Sequence, residues 1–288
     1  MPMTQRPVSS PTPLINRLAR HAMSRPRSNG HDESSLPGLK VVLTGASSGI
    51  GEVAAQLLAA LGAEVIMVAR RQPELEALQQ KIADTGGASH WYCADLSDAS
   101  AREDLIARII ADHGTPDVLV NNAARSIRRT IGDAVDRFHD YERTMALNYF
   151  GPVQLTLGFL PGMRERGSGH IVNVSTTAAL IGLAPRYSAY AASKRALGVF
   201  GRTLSAELGR EKIDVTTLYY PLVRTPMAAA TPKYANRPSL SATEAAEWIV
   251  HAIRKRPPQI SPRLARGLGL VTALVPDTAL AQAMVRGT

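Results

Sequence analysis

Residues 39–61 constrain the fold more than any other stretch of this chain. The run Leu39-Lys40-Val41-Val42-Leu43 is short, apolar and β-branched, as a parallel strand buried on both faces is. It passes without a linker into Thr44-Gly45-Ala46-Ser47-Ser48-Gly49-Ile50-Gly51, then into an alanine- and leucine-rich helix that runs to Leu61. Strand, glycine turn and helix in that order form an anion site. Gly45 permits the tight turn, Gly49 and Gly51 let backbone and helix approach a pyrophosphate, and the N–H groups at the helix start, around Ser47, Ser48 and Ile50, face the charge.

The next segments repeat the pattern. A second strand, Glu64–Ala69, ends at Arg70-Arg71 and has no acid there. A carboxylate at this point would accept from a ribose 2′-hydroxyl, whereas an arginine pairs with a 2′-phosphate, so the pair predicts NADP(H) in preference to NAD(H). A third strand, 89–93, leads to Asp95-Leu96, where a carboxylate would reach the adenine. A fourth, 118–120, ends in Asn121-Asn122-Ala123-Ala124. Helical apolar spacing is read at 73–82, 99–113, 136–147 and 191–208. The expected fold is an α/β, Rossmann-type, doubly wound parallel sheet of about seven strands with helices on both faces. At 288 residues and 45% hydrophobic content it forms one domain, over residues 39–261.

Further along stands Tyr190-Ala191-Ala192-Ser193-Lys194. On the first turn of a helix this spacing puts a phenol and an ammonium on one face. A lysine charge close to a tyrosine favours the phenolate, which brings proton exchange with a substrate oxygen into working range.

Together these residues resemble the classical short-chain dehydrogenase/reductase family. The matching positions are TGASSGIG at 44–51, Asp95, NNAA at 121–124, Asn148, the Tyr190/Lys194 pair and Pro221-Leu222-Val223-Arg224-Thr225-Pro226. The resemblance implies that Tyr190 is the catalytic acid/base and that Lys194 lowers its pKa and holds the nicotinamide ribose. It implies that Asn148 anchors a water in a proton relay, that Asn122 and Ala123 border the adenosine, and that Pro221, Val223 and Thr225 line the nicotinamide. Two positions depart from the family pattern. Ala124 stands where glycine is usual, and the oxyanion-binding hydroxyl falls on Thr177 when counted back from the tyrosine but on Thr176 when counted along the strand 171–174. Strand register is harder to shift than loop length, so Thr176 is preferred, with Ser175 second.

Arg125-Ser126-Ile127-Arg128-Arg129, residues 136–145, Tyr220–Met227 and residues 240–246 are similar to bacterial fatty acyl-CoA reductases of the short-chain type. This narrower resemblance implies hydride transfer from NADPH to a thioester carbonyl, release of coenzyme A thiolate and formation of a fatty aldehyde. Arg125, Arg128 and Arg129, on the carboxyl side of the sheet, would then meet coenzyme A phosphates. The same apparatus suits a dehydrogenase of other lipophilic alcohols, ketones or aldehydes, and a cofactor-binding protein without catalysis is the third reading.

Charge is carried by the ends. Of the net +9, residues 1–38 hold +3 and residues 251–288 hold +5. The nearly neutral body argues against a nucleic-acid groove, and the basic ends suit anions or a lipid surface. Residues 1–38 read as a largely disordered basic tail, and 262–288 as an apolar extension for packing, subunit contact or peripheral membrane contact. A homo-oligomer is expected, with the helix 191–208 in its interface. No signal-peptide core or membrane-spanning run is present, so the expected location is the cytoplasm. Cys93 is read as a core residue rather than a nucleophile. His113, His139 and His170 are scattered, so no metal site is expected.

Overall fold

The computed structural model describes residues 35–182, 184–263 and 265. Seven strands are present: β1 (Lys40–Thr44), β2 (Glu64–Ala69), β3 (Ala88–Cys93), β4 (Val118–Asn121), β5 (Gly169–Thr176), β6 (Ile213–Tyr220) and β7 (Gln259–Ile260). All neighbours pair in parallel, in the order β3-β2-β1-β4-β5-β6-β7. Connecting them are α1 (Gly49–Ala60), α2 (Gln72–Asp84), α3 (Ala99–His113), α4 (Phe138–Met145), α5 (Gly151–Arg166), α6 (Thr177–Ile181), α7 (Ser188–Leu208), α8 (Pro226–Ala229) and α9 (Ala242–Lys255). This is the doubly wound α/β fold expected from the sequence.

Successive strand residues point to opposite faces, and the strands read as continuous apolar runs because both faces are covered. Ile66, Val42, Leu119, Ile171 and Val215 are paired in register across five strands and pack against Leu105, Phe159 and Leu204 of α3, α5 and α7. One residue further along, Met67, Leu43, Val120 and Val172 pack the other way, against Leu58, Leu78 and Trp248 of α1, α2 and α9. Each fully buried side chain of this size contributes about 1.5–3 kcal/mol of transfer free energy. The chain winds outward from β1 to β3 and then returns to β4, so the connections leaving β1 and β4 diverge. The crevice between them is where such sheets take ligands.

Several expectations change. The ordered chain begins before residue 39: the Leu36 N–H donates to the Leu61 carbonyl at 2.6 Å, and its side chain packs on the core. Cys93 is exposed because β3 is the edge strand and its residues alternate toward solvent. His113 meets a histidine that the sequence reading left out, His90, with ring centroids 4.5 Å apart. Parallel pairing of β2 with β3, and the end of α3, bring both onto Glu64 Oε1, at 3.4 and 3.2 Å. These three make a set of metal-type donors among the described residues, at the amino end of the sheet. The helix read at 136–147 is α4, which runs through a π-helical turn, Ala146–Phe150, into α5. Nearly all of the tail 1–38 and of the extension 262–288 lies outside the described residues. No described helix is long and apolar enough to cross a membrane.

Candidate active site

At the carboxyl end of β1, a cleft of about 1230 Å³ opens. Gly45 turns the chain at φ +70°, and a Cβ there would stand 2.8 Å from Ala123 Cα. A Cβ on Gly51 would stand 2.2 Å from the Gly45 carbonyl oxygen. These contacts let α1 start directly behind the turn. Its N-cap, Ser48, makes no side-chain capping bond, and Ser47, Ser48, Gly49 and Ile50 line the cleft. Thr44 stitches the two diverging ends together, its Oγ1 accepting from the N–H groups of Asn122 (2.9 Å) and Ala123 (3.0 Å). Asn122 and Ala123 line the cleft, as do Pro221, Val223 and Thr225 after β6. A crevice of this size, with an uncapped helix start and no room for side chains at the turn, fits a dinucleotide pyrophosphate.

Arg70 and Arg71 both reach this cleft. Arg71 Nη2 donates to the Ser47 carbonyl at 2.9 Å and to Ser47 Oγ at 3.2 Å, and Nη1 pairs with Glu74. Arg70 faces Asp95 at 3.8 Å. The Asp95 carboxylate accepts from Ser97, so Ala94 and Leu96, not Asp95, line the cleft. Partial burial raises the Asp95 pKa, but the Ser97 bonds and the Arg70 charge outweigh it and leave a net lowering.

Tyr190 sits in the first turn of α7 and Lys194 one turn on; both line the cleft. Thr176, the last residue of β5 and the N-cap of α6, lines the cleft with Tyr190, and its hydroxyl lies near enough to lower the phenol's pKa. Ser175 is buried and donates to the Lys194 carbonyl at 3.1 Å, so its hydroxyl is engaged in holding α7 to β5. Thr177 lines the cleft one residue into α6. Burial pushes the Tyr190 phenol up to about 12, only partly offset by the Thr176 hydroxyl. Burial pushes Lys194 down to about 7, and its Nζ donates to the Val174 carbonyl at 2.7 Å. In this state, burial rather than the lysine charge governs the phenol, which holds its proton at neutral pH.

Asn148 lies in the π-helical turn, fully buried. Its Oδ1 accepts from the Arg125 N–H at 2.9 Å, and its Nδ2 donates to the Arg125 carbonyl at 2.9 Å and to Ser193 Oγ at 3.0 Å. It thus braces the first turn of α7 against the loop after β4, and a local π-helix often marks a functional position.

The three arginines of that loop part company. Arg128 lines the cleft. Arg125 is held through its main chain. Arg129 turns to Asp140 at 3.3 Å, where Arg137 also pairs at 3.0 Å, so it does not join the cleft lining. Sequence reasoning missed Tyr187, Lys233, Tyr234 and Arg237, which do line it. The signal was the basic and aromatic cluster Lys233-Tyr234 with Arg237 in an otherwise weakly patterned connection.

A dinucleotide cradle at the switch point, opening onto a buried tyrosine–threonine–lysine constellation, defines a nicotinamide-dependent oxidoreductase. The short chain dehydrogenase family model matches residues 40–235, and the chain belongs to that family. It is 44% identical over 271 residues to a fatty acyl-CoA reductase of Mycobacterium tuberculosis, covering 94% of this chain and 88% of that one. It is 48% identical over 243 residues to a fatty acyl-CoA reductase of Acinetobacter baylyi, covering 84% and 82%. Among solved structures, L-sorbose reductase from Gluconobacter frateurii, complexed with NADPH and L-sorbose, superposes with a TM-score of 0.70 at 26% identity, covering 78% of this chain and 92% of that chain. A 3-oxoacyl (acyl-carrier-protein) reductase from Agrobacterium tumefaciens with NADP bound gives 0.67 at 28%, covering 74% and 86%.

Proposed function

We propose that the protein reduces a fatty acyl-CoA thioester to the aldehyde, with NADPH preferred over NADH. The observation that carries this reading is one continuous cleft that joins the dinucleotide cradle, the Tyr190–Thr176 hydroxyl pair and a basic rim at Arg128. Relatives named fatty acyl-CoA reductases at 44% and 48% identity support it. The cofactor preference rests on Arg71, which lines the cleft beside Ser47 and would pair with a 2′-phosphate.

A bound nicotinamide supplies the hydride. The Tyr190 and Thr176 hydroxyls donate to the carbonyl oxygen as negative charge develops there, and donors placed for that charge stabilise the transition state. A phenol that holds its proton at neutral pH is in the state that reduction requires. When the C–S bond breaks, the departing thiolate takes up a proton and the aldehyde is left. Lys194 lines the cleft one helical turn from Tyr190 with its Nζ on the Val174 carbonyl, and Asn148 fixes the turn that carries both. Phe150 at the end of the π-helical turn, Leu157 of α5 and Val199 of α7 are exposed apolar side chains that a second copy of the chain would cover.

The test is NADPH oxidation at 340 nm with palmitoyl-CoA, palmitaldehyde and a small ketone in parallel, with NADH as the comparison and free thiol measured. Oxidation with thiol release from the thioester is expected, and Tyr190→Phe should abolish it while leaving NADPH binding largely intact. Activity with the aldehyde or ketone alone would discard the thioester chemistry and keep the carbonyl reductase.

A further inference from the structure

Three cations line the cleft and a fourth stands beside them, from three separate parts of the chain. Arg128 comes from the loop after β4, Arg186 from the turn before α7, and Lys233 and Arg237 from the connection between α8 and α9. Arg128, Lys233 and Arg237 line the cleft itself. The Arg129 N–H donates to the Arg186 carbonyl at 2.7 Å, which fastens two of the contributing loops side by side. Burial and the charges of Arg128, Arg237 and Arg186 together lower the Lys233 pKa, so each of the three arginines lies close enough to Lys233 to repel it. Among the described residues, Arg129 and Arg137 share Asp140, whereas no ion pair to a carboxylate forms at any of these four. Arg128 Nε is buried without a hydrogen-bond partner. A fold that gathers like charges without a counter-ion presents a site complementary to a polyanion.

The cluster connects to the reacting hydroxyl through aromatic rings. Arg237 lies over the Tyr234 ring at 5.9 Å, the Tyr234 and Tyr187 hydroxyls are hydrogen-bonded, and the Tyr187 and Tyr190 rings stand edge to face at 6.4 Å. A ligand suited to this path is anionic at one end and carries its reacting carbonyl at the other. We propose that Arg128, Arg186, Lys233 and Arg237 form a phosphate subsite that takes the nucleotide end of a coenzyme A thioester, an inference that rests on the thioester-reductase reading above.

Full-length enzyme with NADPH is assayed on decanoyl-CoA and on the decanoyl thioester of N-acetylcysteamine, which has the same carbonyl and no phosphate. Lys233→Gln and Arg237→Gln, both at exposed positions, should each raise KM for decanoyl-CoA about 10-fold, with kcat changed far less. The preference for decanoyl-CoA over the phosphate-free ester should shrink by the same factor. Calorimetric titration with coenzyme A should show a parallel loss of affinity. Equal changes with both esters, or unaltered affinity for coenzyme A, would overturn the subsite, as would a loss seen only with a decanoyl ester of acyl carrier protein. If wild-type enzyme reduces neither thioester but coenzyme A binding still depends on Lys233 and Arg237, the reductase reading falls and the subsite stands. If both thioesters are reduced with equal KM and coenzyme A does not bind, the subsite falls alone.

Discussion

His170 should make this protein acid-sensitive, and the reason lies in one proton. The side chain is fully buried in β5, with Nε2 at 2.9 Å from Thr216 Oγ1. The Thr216 hydroxyl donates to the Pro257 carbonyl at 2.6 Å, so its oxygen accepts and His170 carries its hydrogen on Nε2. Nδ1 has no partner among the described residues. Protonating it would put a charge into a dry site with nothing to receive the new N–H, and burial, with a smaller contribution from Arg256, pushes the pKa down to about 3. In the unfolded chain the imidazole takes up its proton near 6.5. Between these values the unfolded state binds one more proton than the folded state, so stability falls as pH falls, by about 1.4 kcal/mol per unit well below the upper value. Integrated from pH 6.5 to pH 4.5, the loss is about 2 kcal/mol. Urea unfolding of wild type and His170→Gln at these two pH values measures it, because glutamine keeps an N–H for Thr216 and does not titrate. The variant should be less stable at pH 6.5 and lose about 2 kcal/mol less on acidification. Equal acid losses in both proteins would refute the reasoning.

Gly51→Ala puts a methyl group against the Gly45 carbonyl oxygen, so it should cost about 1–3 kcal/mol and weaken NADPH binding, read by thermal unfolding and by nucleotide fluorescence. Unchanged affinity would show that the turn tolerates the shift. Arg71→Gln should reduce the ratio of NADPH to NADH affinity about 10-fold, and a constant ratio would place the 2′-phosphate elsewhere. Thr176→Ala should lower kcat about 100-fold or more, whereas Ser175→Ala should chiefly lower the melting temperature; the reverse pattern would assign the oxyanion hydroxyl to Ser175. Asn148→Ala leaves the Arg125 N–H and carbonyl without their partner and removes the donor to Ser193 Oγ, and should lower kcat more than NADPH affinity in single-turnover and binding measurements.

The sheet and its cofactor end were legible because local rules decide them. The apolar runs of β1, β2 and β4 and the glycine turn before α1 read the same way in isolation as in the fold. α5 was not, because Gly158, Pro161 and Gly162 look like helix breakers. The glycines are there for packing, since a Cβ on Gly158 would stand 2.6 Å from Ile106 and one on Gly162 1.9 Å from Thr115. The environment of Cys93 depended on β3 being the edge strand, which is a property of strand order and not of the local sequence. The meeting of Glu64, His90 and His113, and that of Arg128 with Lys233, likewise arise from topology. Residues tens of positions apart carry no mutual signal in a single chain.

The bracing role of Asn148 has a consequence for how such an enzyme changes over time. By gripping the main chain of Arg125 rather than any side chain, it fixes the frame around Tyr190 and Lys194 independently of the side chains carried by residues 126–137. The side chain that this loop turns into the cleft, Arg128, can therefore change while the main-chain brace stays in place. What lines the cleft and what holds the turn are thus separate parts of one loop, and a change in the first need not loosen the second.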